Sequence, residues 1–165
     1  MGFLGKFFGK SEEKKDNRIY APVAGCAVSL KEVRDPTFSS CMLGNGVAII
    51  PEDGKVCAPC DATVDMMFTT GHAVSLVADN GAEILIHVGL ETVSMNGKGF
   101  TVHVQNGQRV KTGQLMIEVD LEMLKTAGLN PITPVLVCNS DEYGVVGAVT
   151  GQSVSNDDVV MEVTK

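Results

Sequence analysis

Asp79-Asn80-Gly81 separates two strand-like runs, Gly71-His72-Ala73-Val74-Ser75-Leu76-Val77-Ala78 and Ala82-Glu83-Ile84-Leu85-Ile86-His87-Val88, and so commits the middle of the chain to a β-hairpin. Asn-Gly is the strongest short hairpin signal because both residues tolerate positive φ. Read with period two, Ile84, Ile86, Val88 and Leu90 face one way. Glu83, Leu85, His87, Gly89 and Glu91 face the other. The first set suits a core. The second holds the His87 imidazole on a more open face, where Gly89 has no side chain to crowd it.

A second histidine lies in the other arm of the hairpin. With Asn80-Gly81 as a two-residue loop, Val74 stands opposite His87, and His72 becomes its diagonal neighbour on the same face. A one-residue slip would put the two rings on opposite faces. Thr70, two residues before His72, shares its side if the strand extends that far, and its hydroxyl would then hold the His72 ring in one tautomer. Converging imidazoles bind zinc, perform acid–base chemistry or carry a phosphoryl group, and spacing alone does not choose among these.

The rest of the chain follows the same β pattern. With 165 residues it fits a single domain that can bury its own core. Glycine is abundant, tryptophan is absent and β-branched residues recur in short runs, which favours an all-β domain over a helical bundle. Two weak repeats run through it. Gly107-Gln108-x-Val110, followed by Glu118-Val119, recurs as Gly151-Gln152-x-Val154, followed by Glu162-Val163; Ala21-Pro22 recurs as Ala58-Pro59. Two interleaved half-motifs suggest a duplicated sandwich or barrel. Leu121-Glu122-Met123-Leu124-Lys125-Thr126-Ala127, closed by Gly128, is the best candidate for a helical turn.

Charge and cysteine usage exclude several classes. The net charge of −7 without a basic stripe argues against nucleic acid, and suits docking to a basic partner. Five cysteines (Cys26, Cys41, Cys57, Cys60 and Cys138) without a secretory signal fit reduced thiols. Cys57-Ala58-Pro59-Cys60 has the spacing of a redox motif but no βαβ setting, and an extended strand would put its sulfurs on opposite faces. A structural role is expected. No run approaches the ~20 apolar residues of a membrane-spanning helix. Residues 1–17 form a distinct arm and residues 18–165 the domain. Within the arm Phe3, Leu4, Phe7 and Phe8 share one side of a helical wheel, with Lys6 and Lys10 flanking, so residues 1–10 suit an anionic membrane surface.

The segment Gly81-Ala82-Glu83-Ile84-Leu85-Ile86-His87-Val88-Gly89-Leu90-Glu91-Thr92-Val93 resembles the active-site signature of the glucose-type enzyme IIA family of the bacterial phosphoenolpyruvate-dependent sugar phosphotransferase system. The resemblance continues through Thr70-Gly71-His72-Ala73, Gly97-Lys98-Gly99-Phe100, Gly107-Gln108-Arg109-Val110-Lys111-Thr112-Gly113 and Thr133-Pro134-Val135, and covers roughly residues 18 to 165. It implies an antiparallel β-sandwich with internal duplication and short helical turns. It implies that His87 accepts a phosphoryl group at Nε2 from the phosphohistidine of the carrier HPr and passes it to the IIB domain of a membrane sugar permease. His72 would stabilise and transfer the phosphoryl group, and Thr70 would orient His72.

By the same resemblance Phe38, Met42, Leu43, Phe68 and Leu85 fall near the histidines as an apolar patch for HPr and IIB, with one or two of them in the core. No cofactor is required; a transient zinc at His72 and His87 needs a partner's carboxylate as well. Regulatory targets are a further class of partner, and some relatives use an N-terminal arm at the inner face of the membrane. His103 matches no motif of the family and is expected to be a surface histidine. A zinc hydrolase would need a third ligand and a His-x-His pair, and a biotin or lipoate carrier would need more around Lys98 than Gly97-Lys98-Gly99 offers.

Overall fold

The computed structural model describes residues 16–165, so the amphipathic segment at residues 1–10, and all of the arm but its last two residues, lie outside the described residues. Among the described residues are fourteen strands, antiparallel wherever they pair: β1 (Arg18–Tyr20), β2 (Gly25–Ser29), β3 (Asn45–Pro51), β4 (Lys55–Cys57), β5 (Ala62–Met67), β6 (Ala73–Ala78), β7 (Glu83–His87), β8 (Phe100–Val102), β9 (Arg109–Val110), β10 (Leu115–Val119), β11 (Thr133–Val137), β12 (Gly144–Val146), β13 (Gln152–Val154) and β14 (Val159–Thr164). They form an eight-stranded sheet in the order β13-β2-β3-β11-β7-β6-β5-β9 and two three-stranded sheets, β1-β14-β12 and β4-β10-β8. Two short helices interrupt them, α1 (Pro36–Ser39) and α2 (Leu121–Thr126). Each is started by an aspartate: Asp35 accepts from the Thr37 N–H at 3.0 Å and Asp120 from the Met123 N–H at 3.1 Å. Gly128, at φ +77, follows α2 as the sequence led one to expect.

The sequence repeats become a spatial relation between two halves. The continuous stretch β4 to β10 forms one half and is inserted between β3 and β11 of the other. Each half supplies one three-stranded sheet and four neighbouring strands of the long sheet. At the repeated Ala-Pro dipeptides the halves exchange matching hydrogen bonds: the Tyr20 N–H donates to the Pro59 carbonyl at 2.9 Å, and the Cys57 N–H donates to the Pro22 carbonyl at 2.7 Å. The Cys57–Cys60 segment is therefore a structural seam. Burial pushes the Cys60 thiol up to about 12, with Asp61 and Asp79 adding to it, and raises that of Cys57, so neither is a ready thiolate.

One face of the long sheet packs with both small sheets around Ile49, Leu76, Ile84, Ile86, Met116, Ile117 and Met161. A smaller cluster, Val28, Leu30, Val33, Phe38, Ala48, Leu90, Ile132 and Leu136, covers part of the other face beneath the segment that carries α1. Leu90 departs from the alternation read in the sequence. Gly89 adopts φ +78, which ends β7 and swings Leu90 away from the side of Ile84, Ile86 and Val88 into this second cluster.

The hairpin register also differs from the expectation. Ala73, not Val74, pairs with His87, and Val74 pairs with Ile86. The loop has three residues, closed by the Ala78 N–H donating to the Ala82 carbonyl at 2.8 Å. Only Gly81 (φ +97) takes positive φ there. Tyr143, distant in sequence, fixes this form: its hydroxyl donates to the Asn80 carbonyl at 2.9 Å and fills the space a Gly81 side chain would need.

Candidate active site

Strict alternation in that register would send His72 to the opposite face from His87. The two rings nevertheless meet, with centroids 5.3 Å apart and planes at 75°. The physical reason is that β6 begins at Ala73. His72 lies before it, after a turn in which the Gly71 N–H donates to the Phe68 carbonyl at 2.8 Å and Gly71 adopts φ +76. That turn frees the His72 side chain from the pleat, while its carbonyl still accepts from the Val88 N–H at 2.7 Å. The rings converge, for a reason other than the expected pairing.

Each imidazole is oriented through Nδ1. The His87 Nδ1 lies 2.6 Å from the Gly89 carbonyl oxygen. A carbonyl only accepts, so Nδ1 carries the proton and a neutral ring has its lone pair at Nε2. The Gly89 carbonyl points back at the ring because the residue is left-handed, and the turn is pinned by Thr92, whose buried hydroxyl donates to the Val88 carbonyl at 2.6 Å. On the other ring, Nδ1 of His72 shares a short hydrogen bond with the Thr70 hydroxyl. Thr70, His72 and His87 are thus brought together.

Burial lowers the affinity of both rings for a proton. For His87 desolvation is the largest cause, opposed by the Gly89 hydrogen bond and the negative charge of Asp35. For His72 desolvation again leads, and the neighbouring His87 adds to it. Both therefore stay neutral over more of the pH range than a free histidine.

The five apolar residues divide. Phe38 is 4 % exposed and belongs to the second core cluster, yet its ring stands 5.1 Å from that of His87. Phe68 meets the His72 ring at 5.3 Å and is part-exposed beside a groove of about 440 Å³ lined by Met67, Thr69, Val102, Val104, Gln105 and Asn106. Leu85 is half-buried against the second cluster, whereas Leu43 is exposed and Met42 is 80 % exposed. His103 stands apart at an exposed edge, where its Nε2 pairs with the Glu118 carboxylate at 2.8 Å.

Sequence reading missed three contributors. Gly89 reads in the sequence only as a missing side chain, but its carbonyl orients His87. Thr92 reads as one more position of the same signature, whereas in the structure its hydroxyl pins the turn. Asp35 was not linked to His87, because only the fold brings α1 beside β7. Among the described residues there is no group of three or more His, Cys, Asp or Glu side chains that could hold a metal ion.

Fold and site together describe an antiparallel β-sandwich with two converging histidines, each hydrogen-bonded through Nδ1, at the ends of two adjacent strands of its long sheet. Residues 17–143 match the family model described as phosphoenolpyruvate-dependent sugar phosphotransferase system, EIIA 1. The chain is 41 % identical over 160 residues, 96 % of this chain and 97 % of the relative, to a PTS system glucose-specific EIIA component of Bacillus cereus. A PTS system beta-glucoside-specific EIIBCA component of Bacillus subtilis is 45 % identical over 125 residues, 76 % of this chain and 20 % of that longer protein. The solved structure of glucose permease IIA from Mycoplasma capricolum superposes with a TM-score of 0.83 at 34 % identity, covering 92 % of this chain and 97 % of that one.

The chain belongs to the glucose-type enzyme IIA family. It is a phosphocarrier component of a sugar phosphotransferase system.

Proposed function

We propose that His87 is the phosphoryl acceptor of this carrier, reacting through Nε2. The observation that carries the reading is the hydrogen bond from Nδ1 to the Gly89 carbonyl, which leaves Nε2 as the free lone pair. As the Nε2–P bond forms and the donor's N–P bond breaks, positive charge grows on the ring, and the carbonyl facing Nδ1–H stabilises it. Phosphoryl transfer asks mainly for positioning and for stabilisation of the equatorial oxygens. His72 supplies the latter. With Thr70 donating to its Nδ1, its Nε2–H is directed outward to a phosphoryl oxygen on His87.

The donor is the phosphohistidine of HPr and the recipient is the IIB domain of a sugar permease. The fusion of EIIA to EIIB and EIIC in related EIIBCA chains supports the second partner. Both would dock on the rim formed by Met42, Leu43, Phe68 and Leu85, the exposed thioether of Met42 suiting more than one partner. Zinc fits the same pair only in a complex. His72 would have to free its Nε2 lone pair, with Thr70 accepting instead of donating, and a docked partner would have to add a carboxylate. Residues 1–10 would hold the carrier weakly at an anionic inner membrane surface, the rest of the chain acting in the cytoplasm.

The test is single-step transfer. His72→Gln should still accept phosphoryl groups from phospho-HPr but fail to deliver them to a IIB domain. Delivery at the wild-type rate would refute the role given to His72.

A further inference from the structure

Four Asn-Gly dipeptides occur in the chain, at Asn45, Asn80, Asn96 and Asn106, and the structure treats one of them differently. Asn-Gly is chemically labile because the glycine nitrogen meets no side chain of its own residue when it approaches the asparagine amide carbon. Folding suppresses that approach wherever the amide and the glycine N–H are held.

Asn80 is held at both ends. Its Oδ1 accepts from the Ala82 N–H at 3.0 Å, its Nδ2 donates to Asn17 at 3.1 Å, and the Gly81 N–H donates to the Ala78 carbonyl at 2.8 Å. Asn106 accepts from the Met67 N–H at 2.7 Å, and the Gly107 N–H donates to the Val64 carbonyl at 2.8 Å. Asn45 lies at the start of β3, where the Gly46 N–H donates to the asparagine's own Oδ1 at 2.9 Å. The restraint there is the antiparallel pairing of β3 with β11, which sets Asn45 opposite Val137 and Gly46 opposite Leu136 and holds the backbone extended.

Asn96 has none of these restraints. Its side chain is exposed and, among the described residues, neither its amide nor the Gly97 N–H has a hydrogen-bond partner. Asn96 is left-handed (φ +55) and so is Gly97 (φ +87), in the turn that follows the 3-10 segment Thr92–Met95. This turn also abuts Thr70. A Cβ built on Gly97 would lie 3.8 Å from the Thr70 Cα and 3.9 Å from its carbonyl oxygen. Thr70 is the residue that orients His72.

We propose that Asn96 is a spontaneous deamidation site whose conversion disturbs the Thr70–His72 pair. The Gly97 nitrogen, losing its proton, bonds to the Asn96 Cγ while the Cγ–Nδ2 bond breaks and ammonia leaves. Water then opens the succinimide to aspartate or isoaspartate. The net change is an amide and a water exchanged for a carboxylic acid and ammonia. The isoaspartate product lengthens the backbone by one carbon where the turn abuts Thr70. Either product adds a negative charge to the turn that abuts Thr70. The effect on transfer rests on the function proposed above; the conversion itself does not.

The full-length protein should be aged at mildly alkaline pH and mapped by peptide mass spectrometry that separates aspartate from isoaspartate. The Asn96 peptide should convert several-fold faster than those of Asn45, Asn80 and Asn106. Equal rates, or a faster conversion elsewhere, would overturn the assignment. Aged wild type should deliver phosphoryl groups to IIB more slowly than fresh protein, whereas aged N96Q, which resists the five-membered ring closure, should keep its fresh rate. Equal decline in both would overturn the link to Thr70. Fresh protein that takes up no phosphoryl group would count against the proposed function, and the peptide map would then decide the Asn96 assignment alone.

Discussion

Replacing Gly89 by alanine tests the element that aims His87. The residue is left-handed, which costs an L-residue about 1–2 kcal/mol. Its added Cβ would also stand 2.7 Å from the Thr92 Cγ2, 3.1 Å from the Asn130 carbonyl oxygen and 3.3 Å from the Leu124 Cδ2. Thr92 and Leu124 are fully buried, and Thr92 is tied to Val88, so neither retreats easily. Overpacking of this kind adds about 1–3 kcal/mol. Gly107 is the control, with φ +84 but nothing within 4 Å of its Cβ position, so Gly107→Ala carries only the conformational cost. In urea titrations Gly89→Ala should lower the midpoint by roughly 1–2 M and Gly107→Ala by clearly less. Nitrogen NMR should show the His87 ring fixed as the Nδ1–H tautomer in wild type and mixed in Gly89→Ala. Equal midpoints for the two variants, or an unchanged tautomer, would refute the claim that Gly89 both packs tightly and orients the imidazole.

Three further outcomes are expected. Both histidines have folded-state pKa values below the ordinary ~6.5, so the unfolded chain takes up protons first as the pH drops. Their contribution is complete above about 6.5 and is lost as pH falls through the lowered folded values, so urea midpoints should decline across that window and less steeply in His87→Gln. Thr70→Val should cost about 1 kcal/mol or less in stability, yet slow delivery to IIB more than acceptance from HPr, because only the His72 tautomer is released. Anionic liposomes should pellet full-length protein and not a Δ1–17 variant; equal pelleting would remove the membrane role of the arm.

Much of the site was legible in the sequence because its restraints are local. The run from Gly81 to Val93 carries the proposed acceptor, the glycine that ends the strand and the threonine that pins the turn within one short segment. The two repeats announced the duplication, and the hydrogen bonds between Tyr20, Pro22, Cys57 and Pro59 are its direct expression. Most of what escaped reading depends on distant contacts; the tasks of the Gly89 carbonyl and the Thr92 hydroxyl are local, but a residue type does not state which atom it aims. The Asn-Gly rule favours a two-residue loop, but the Tyr143 hydroxyl, from the bend before β12, bonds the Asn80 carbonyl of a three-residue one. His72 was expected inside a strand, whereas the Gly71 turn holds it just outside, and that displacement offsets the register change. The burial of Phe38 and the charge of Asp35 beside His87 both follow from α1 folding over β7, which no local pattern specifies.

The central claim is that His87 carries the phosphoryl group. Intact mass after incubation with phosphoenolpyruvate, enzyme I and HPr measures it directly, comparing wild type with His87→Ala. The account predicts one acid-labile phosphoryl group on the wild type and none on the variant. An unmodified wild type alongside phosphorylated HPr, or a variant that still gains the group, would contradict it.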